Sequence, residues 1–209
     1  MQDNATWEEF RDSHLASIEK AYGKHAEYLV VDNGYFPPKA VVVVSKGDDV
    51  FLFTLGMSLL QQPSVEMYSQ YPEGLRRTEL AMGIRKELFE KHRDGFIAYL
   101  VGLSDIPWNY TTFFADGHTV LFDIEPFRTV FTNTLLLDGE VNFSEKLYGR
   151  FRGDAVNNLW VVPITETEQH YAEELGNEAL MKNALDTHSL RIFDGKDQFG
   201  PLTSPEKKK

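Results

Sequence analysis

The stretch Phe51-Leu52-Phe53-Thr54-Leu55-Gly56-Met57-Ser58 runs an apolar strand straight into a glycine, with no charged residue on the way. A strand that ends like this bends its backbone where a side chain would obstruct it, which is what the glycine provides for. Upstream, residues 40–45 are almost pure valine. A β-branched run without polar alternation fits a central strand covered on both faces. Lys46-Gly47-Asp48-Asp49 supplies a turn between the two runs, so residues 40–45 and 50–55 are expected to pair as an antiparallel hairpin.

Elements of both kinds flank this hairpin. Thr6 and Glu9 have capping-box spacing, and Trp7, Phe10, His14, Leu15, Ile18 and Tyr22 then share one helical face as far as Gly23. Residues 28–32 read as a short strand. Residues 61–75, with Pro63, Pro72 and Gly74, read as a polar loop, and 75–84 as a strand. Residues 86–103 predict a helix presenting Phe89, His92, Phe96, Leu100 and Leu103, a reading that Gly95 and Gly102 weaken. Pro107 ends that pattern or begins a second short helix over 108–113. Strands follow at 118–123, 130–137 and 158–164, with a loop or hairpin over 138–154. Thr165 and Glu168 form another capping box, and Glu166, Glu168, Glu173 and Glu174 match the positive N-terminal end of the helix they open. Helices and strands mix without strict alternation. The fold class is therefore α+β, a mixed, mostly antiparallel central sheet flanked by helices. Residues 1–194 are expected to form one domain and 195–209 a flexible polar tail.

At 209 residues the chain fits one large domain, able to bury about 70% of its unfolded surface without staples. Apolar residues at 42% and aromatics at 13% argue against disorder. The absence of cysteine excludes disulfides, thiolate metal sites and a cysteine nucleophile; it also suits a reducing cytoplasm. The N-terminus is acidic and lacks the basic start and apolar stretch of a secretory signal. The longest apolar run, 96–103, is too short to span a bilayer. A soluble, cytoplasmic protein without a membrane partner is expected. The net charge of −11 argues against nucleic acid, which needs a basic face. It favours encounters with basic proteins.

Candidate chemistry is sparse. His92-Arg93-Asp94 matches the start of a kinase catalytic loop, but Tyr99 stands where the magnesium-binding Asn belongs and no phosphate loop accompanies it. Ser58, His118 and Asp116 are a conceivable nucleophile, base and orienter. A strand end at Ser58 and a turn at Asp116-Gly117 explain the same residues more simply. The six histidines form no ligand spacing, and no metal or other cofactor is expected. On the strand at 75–84, alternation places Arg77 and Glu79 on one face, away from Arg76. A cross-strand ion pair is the first expectation there. Trp108, Tyr110, Phe113 and Phe114 cluster beside Pro107; buried packing is the first reading, and a protein-binding hot spot the second.

Four pieces occur in order: Thr54-Leu55-Gly56-Met57-Ser58, Thr78-Glu79-Leu80, Gly117-His118, and Val161-Val162-Pro163-Ile164-Thr165 followed by Glu168. Together they resemble the suppressor-of-fused family over residues 28–185. The resemblance implies a non-enzymatic interaction module without a cofactor. Animal members sequester a transcription factor by clamping a short peptide between two domains. The length here resembles instead the bacterial single-domain type, immunity proteins that neutralise polymorphic toxins. The resemblance thus implies a protein partner, most concretely a basic toxin domain. Candidate contact residues are Arg76, Arg77, Trp108, Tyr110 and Asp116. The alternatives are a hydrolase built on Ser58, His118 and Asp116, and a peptide-binding adaptor.

Overall fold

A computed structural model describes residues 4–31, 39–139, 155–184, 191–197 and 199–202. Eight strands form one sheet: β1 (Glu27–Val31), β2 (Lys39–Lys46), β3 (Asp49–Leu55), β4 (Arg77–Arg85), β5 (Thr119–Leu121), β6 (Phe131–Asp138), β7 (Val156–Thr165) and β8 (Ile192–Phe193). Their order is β1-β2-β3-β4-β7-β6-β5, with β8 beside β4. Among the described residues, only the β4–β7 and β4–β8 pairs are parallel. The class is α+β around a mixed, mostly antiparallel sheet, as the sequence predicts.

The valine strand occupies the position its composition requires. Val41 and Val43 of β2 face one hydrophobic cluster, and Ala40, Val42 and Val44 face a second on the other side. Burying each such side chain contributes about 1.5–3 kcal/mol, so a strand covered twice needs no polar alternation. β2 and β3 pair from Ala40↔Leu55 to Lys46↔Asp49. Gly47 closes that hairpin at φ +63°, a conformation glycine adopts without a Cβ penalty. Pro163 sits inside β7, past the stretch Val156–Trp160 that pairs with β4, so its missing N–H costs no rung on that side.

Helices pack on both faces of the sheet. α1 (Asn4–Tyr22) places Phe10 and Ile18 against Val42, Phe53 and Trp160. It begins at Asn4, so Thr6 lies within the helix and is not its cap. His14 is buried on this helix, its ring 4.8 Å from that of Phe10, and burial pushes its pKa down to about 3. On the opposite face α3 (Lys86–Leu103) buries Phe89, Phe96, Leu100 and Leu103. Gly95 and Gly102 do not break this helix. Its irregular backbone lies at His92, whose ring meets that of Phe127 edge-on at 5.1 Å.

The segment read as a plain polar loop holds a helical turn, α2 (Val65–Tyr68), and a 3-10 turn, Pro72–Gly74. The helix expected over 108–113 is α4 (Ile106–Asn109), stopped before Thr111, which adopts φ +52°. After β7 come α5 (Glu166–Leu175) and α6 (Asn177–Met181). Both reciprocal bonds of the Thr165/Glu168 capping box are present. Of the segment expected to be a loose tail, Phe199 is buried with Leu135, Ile164 and Leu180, and bridges back to Ala184. Most of the loop expected over 138–154 lies outside the described residues. Among the described residues, no helix is long and apolar enough to cross a membrane.

Candidate functional site: a carboxylate knot beneath an aromatic ledge

Where β3 ends, Gly56 takes φ +112° and the chain enters a 3-10 turn, Met57–Leu59. Such a turn leaves backbone N–H groups without internal acceptors. Glu79, fully buried on β4, supplies one. Its Oε1 accepts from the Gly56 amide at 2.9 Å, the Ser58 amide at 2.9 Å and the Ser58 hydroxyl at 2.7 Å. Its Oε2 accepts from the Thr54 hydroxyl at 2.7 Å, and Thr54 Oγ1 in turn accepts the Leu80 amide at 2.7 Å. Burial raises the Glu79 pKa, and the four donors offset that rise only in part.

Arg77, two residues earlier on β4, grips the same turn from its carbonyl side. Its Nη1 donates to the Ser58 and Leu59 carbonyls, each at 2.9 Å. Alternation places Arg77 and Glu79 on one face, and from there they hold the turn with two complementary grips. The carboxylate takes the turn's amides and the guanidinium takes its carbonyls.

Gln62 extends the knot. It is buried, and its Nε2 donates to the Leu75 carbonyl at 2.7 Å, the Thr78 hydroxyl at 2.9 Å and the Phe114 carbonyl at 3.1 Å. Its Oε1 accepts the Phe114 amide at 2.8 Å. One side chain thus ties the segment before β4 to the segment after α4. Above this stitch, the Ser64 hydroxyl donates to the Thr111 carbonyl at 2.9 Å. Both residues hold positive φ, +65° and +52°. Tyr68 stacks on Phe113 at 5.9 Å, and the Trp108 indole donates to the Gln61 carbonyl at 3.3 Å. The result is a ledge from which Met67, Tyr68, Tyr71 and Tyr110 project, each 73–80% exposed.

The sequence-derived candidates fall in different places. Tyr110 lies on the ledge and half-buried Trp108 beneath it, under the Lys39 ammonium at 5.2 Å. Arg76 pairs with Glu66 at 2.9 Å at the border, and Arg77 is a strut of the knot. Asp116 is exposed and accepts the Asp138 amide at 2.9 Å. Gly117 beside it takes φ +81°, with its carbonyl accepting from Asn177 at 3.0 Å.

The hydrolase alternative is not assembled. The Ser58 hydroxyl is spent on Glu79, His118 Nδ1 meets the Phe113 carbonyl at 3.2 Å, and Asp116 serves a backbone amide. Among the described residues, no group of three or more His, Asp or Glu side chains could hold a metal ion. Sequence reasoning missed Gln62, Met67, Tyr68 and Tyr71. The available signal was a loop that carries two tyrosines and a methionine where polar residues are the rule.

A polar knot that consumes the signature residues thus lies beneath exposed aromatic side chains within an α+β fold. The family model of suppressor of fused protein (SUFU) matches residues 37–196, and the chain belongs to that family. Its members are protein-interaction domains. No curated protein matches the chain significantly.

Proposed function

We propose that this chain is an immunity protein, a cytoplasmic, non-enzymatic module that neutralises a polymorphic toxin by binding its basic domain directly. One observation carries the reading: the shared motif spends its polar groups on itself. Thr54, Ser58 and Glu79 satisfy one another in the interior. They build a platform and leave recognition to the surface above. The charge of −11 supports a basic partner, because opposite net charge raises encounter rates. Of the candidate contacts, Tyr110 projects from the ledge and, with Trp108 and Asp116, would meet the partner, while Arg76 and Arg77 hold the ledge in shape.

The test is genetic and then physical. The immunity reading expects a neighbouring open reading frame with a toxin-like C-terminal domain, and the chain is expressed together with that domain. Restored growth and co-elution of the two proteins are the expected result. Undiminished killing by that domain, with this chain folded and abundant, would overturn the immunity reading.

A further inference from the structure

We propose that the strap formed by residues 191–197 and 199–202 is a proton-sensitive latch: one proton shared by the Glu168 and Asp197 carboxyls keeps its Phe199 end seated in the fold, and loss of that proton to solvent lets this end open. The latch does not depend on which partner the chain binds.

The strap is pinned at two points of unequal strength. At the first, β8 lies along β4 just beyond the last β4–β7 rung, Ala81↔Trp160. A Cβ on Gly83 would lie 2.2 Å from the Arg191 carbonyl oxygen, so the strap's backbone presses directly on the sheet. Phe193 is buried there, its ring edge-on to Phe131 at 5.0 Å and to Phe127 at 5.3 Å, within the large cluster beneath α3. At the second, Phe199 enters a much smaller cluster with Leu135, Ile164 and Leu180. It bridges back to Ala184, and the Gly200 amide donates to the Asn183 carbonyl at 2.7 Å. With fewer apolar neighbours to hold it, the Phe199 end is the one that local opening reaches first.

A carboxyl pair sits at this weaker pin. Glu168, in the first turn of α5, is 2% exposed. Its Oε2 accepts the Thr165 amide at 2.6 Å, while its Oε1 is buried and receives no hydrogen bond. Its carboxyl neighbour is Asp197, whose Oδ1 accepts the Phe199 amide at 3.0 Å. Two carboxylates are both acceptors, so contact between them needs a proton. Burial first, and Asp197 second, push the Glu168 carboxyl up to about 7. The proton is therefore present in mild acid and absent in mild alkali. Asp197 is exposed, which gives solvent a route to it. The cations nearby are engaged with other carboxylates. On the strap Lys196 lies 3.9 Å from Asp194, and beside Phe127, which packs near Gly195, Arg128 pairs with Asp123 and Glu125. On α5 His170 lies 3.9 Å from Glu166 and 3.4 Å from Glu173, His92 packs on Phe127, and α6 brings Glu178.

Hydrogen exchange at the Phe199 and Gly200 amides of the full chain, divided by the intrinsic rate at each pH, reads the opening. Protection is expected to fall about tenfold between about pH 6 and 8. Both amides should exchange faster than the Leu136 amide, which is bonded to the His118 carbonyl inside the sheet. They should also depend little on urea below the unfolding transition, because a local opening exposes little surface. Glu168→Gln keeps the oxygen that caps α5 and brings its own donor for Asp197, so its protection should stay within about twofold over the same range. Asp197→Asn keeps the acceptor for the Phe199 amide and donates to the ionised Glu168, which should move the fall to below about pH 6. His170→Gln should behave as wild type. Protection in the wild type that is absent or constant with pH, a fall that survives Glu168→Gln, an unmoved fall in Asp197→Asn, a fall that His170→Gln abolishes, or exchange that tracks Leu136 in urea would each overturn the latch.

Discussion

The Ser58 hydroxyl donates to Glu79 Oε1 across 2.7 Å in the interior, although the two residues lie 21 positions apart in the chain. Around that bond the motif at the end of β3 and the motif on β4 become one unit. Neither has a reason to exist without the other. The glycine opens the turn, the serine and threonine supply donors, and the glutamate receives them.

Removing the acceptor should therefore be costly. Glu79→Ala leaves at least two buried amides without a partner, each worth about 1–3 kcal/mol, and opens a cavity. We expect a loss of about 4 kcal/mol, with about 2 kcal/mol for Glu79→Gln, which keeps one acceptor oxygen. Urea denaturation of both variants measures this. A Gln variant as stable as wild type would show that the charge of Glu79 contributes nothing.

Gln62 couples the segment before β4 to the segment after α4 from a buried position. Gln62→Leu keeps the volume but abandons the Phe114 amide and carbonyl and the Leu75 carbonyl. We expect a loss of about 2–4 kcal/mol and faster hydrogen exchange at the Phe114 amide. Unchanged exchange there would mean that the loops hold together without the stitch.

Two buried groups should set opposing pH slopes. His14 has its folded pKa lowered to about 3, so the unfolded chain takes up a proton first as pH falls below about 6.5. Its contribution is present above that value and is lost toward pH 3. Glu168 is raised to about 7, first by burial and then by Asp197, so its contribution is present below about 4.3 and is lost as pH rises through 7. Between roughly pH 4.5 and 6.5 the slopes oppose, each about 1.4 kcal/mol per pH unit. Glu168→Gln keeps the capping box and should unmask stability that rises with pH over this window. His14→Phe should unmask stability that falls with it. Identical pH profiles for the two variants would refute both assignments.

Gly117 meets two constraints at once. A Cβ there would lie 2.2 Å from Asn177 Nδ2, and φ is +81°. Gly117→Ala should cost about 2–3 kcal/mol in the native background. Once Asn177→Ala has removed the clash, the cost should drop to about 1 kcal/mol of backbone strain. Equal costs in both backgrounds, read from thermal unfolding, would show that Asn177 yields freely.

What could be read from residues alone was whatever neighbours in the chain determine. The all-valine run told its burial on both faces, because alternation is a property of the strand itself. The hairpin turn at Gly47 and the Thr165/Glu168 capping box are closed within four residues, so spacing suffices to recognise them. The motifs Thr54–Ser58 and Thr78–Leu80 were visible as words without a meaning, since a carboxylate's donors cannot be read from its own strand. Only the folded chain brings Gln62 to Phe114, 52 positions away, and turns a nominal polar loop into an aromatic ledge. Hydrogen bonds of such long sequence separation are chosen by packing, once the sheet has placed β3 beside β4, and no local pattern encodes them.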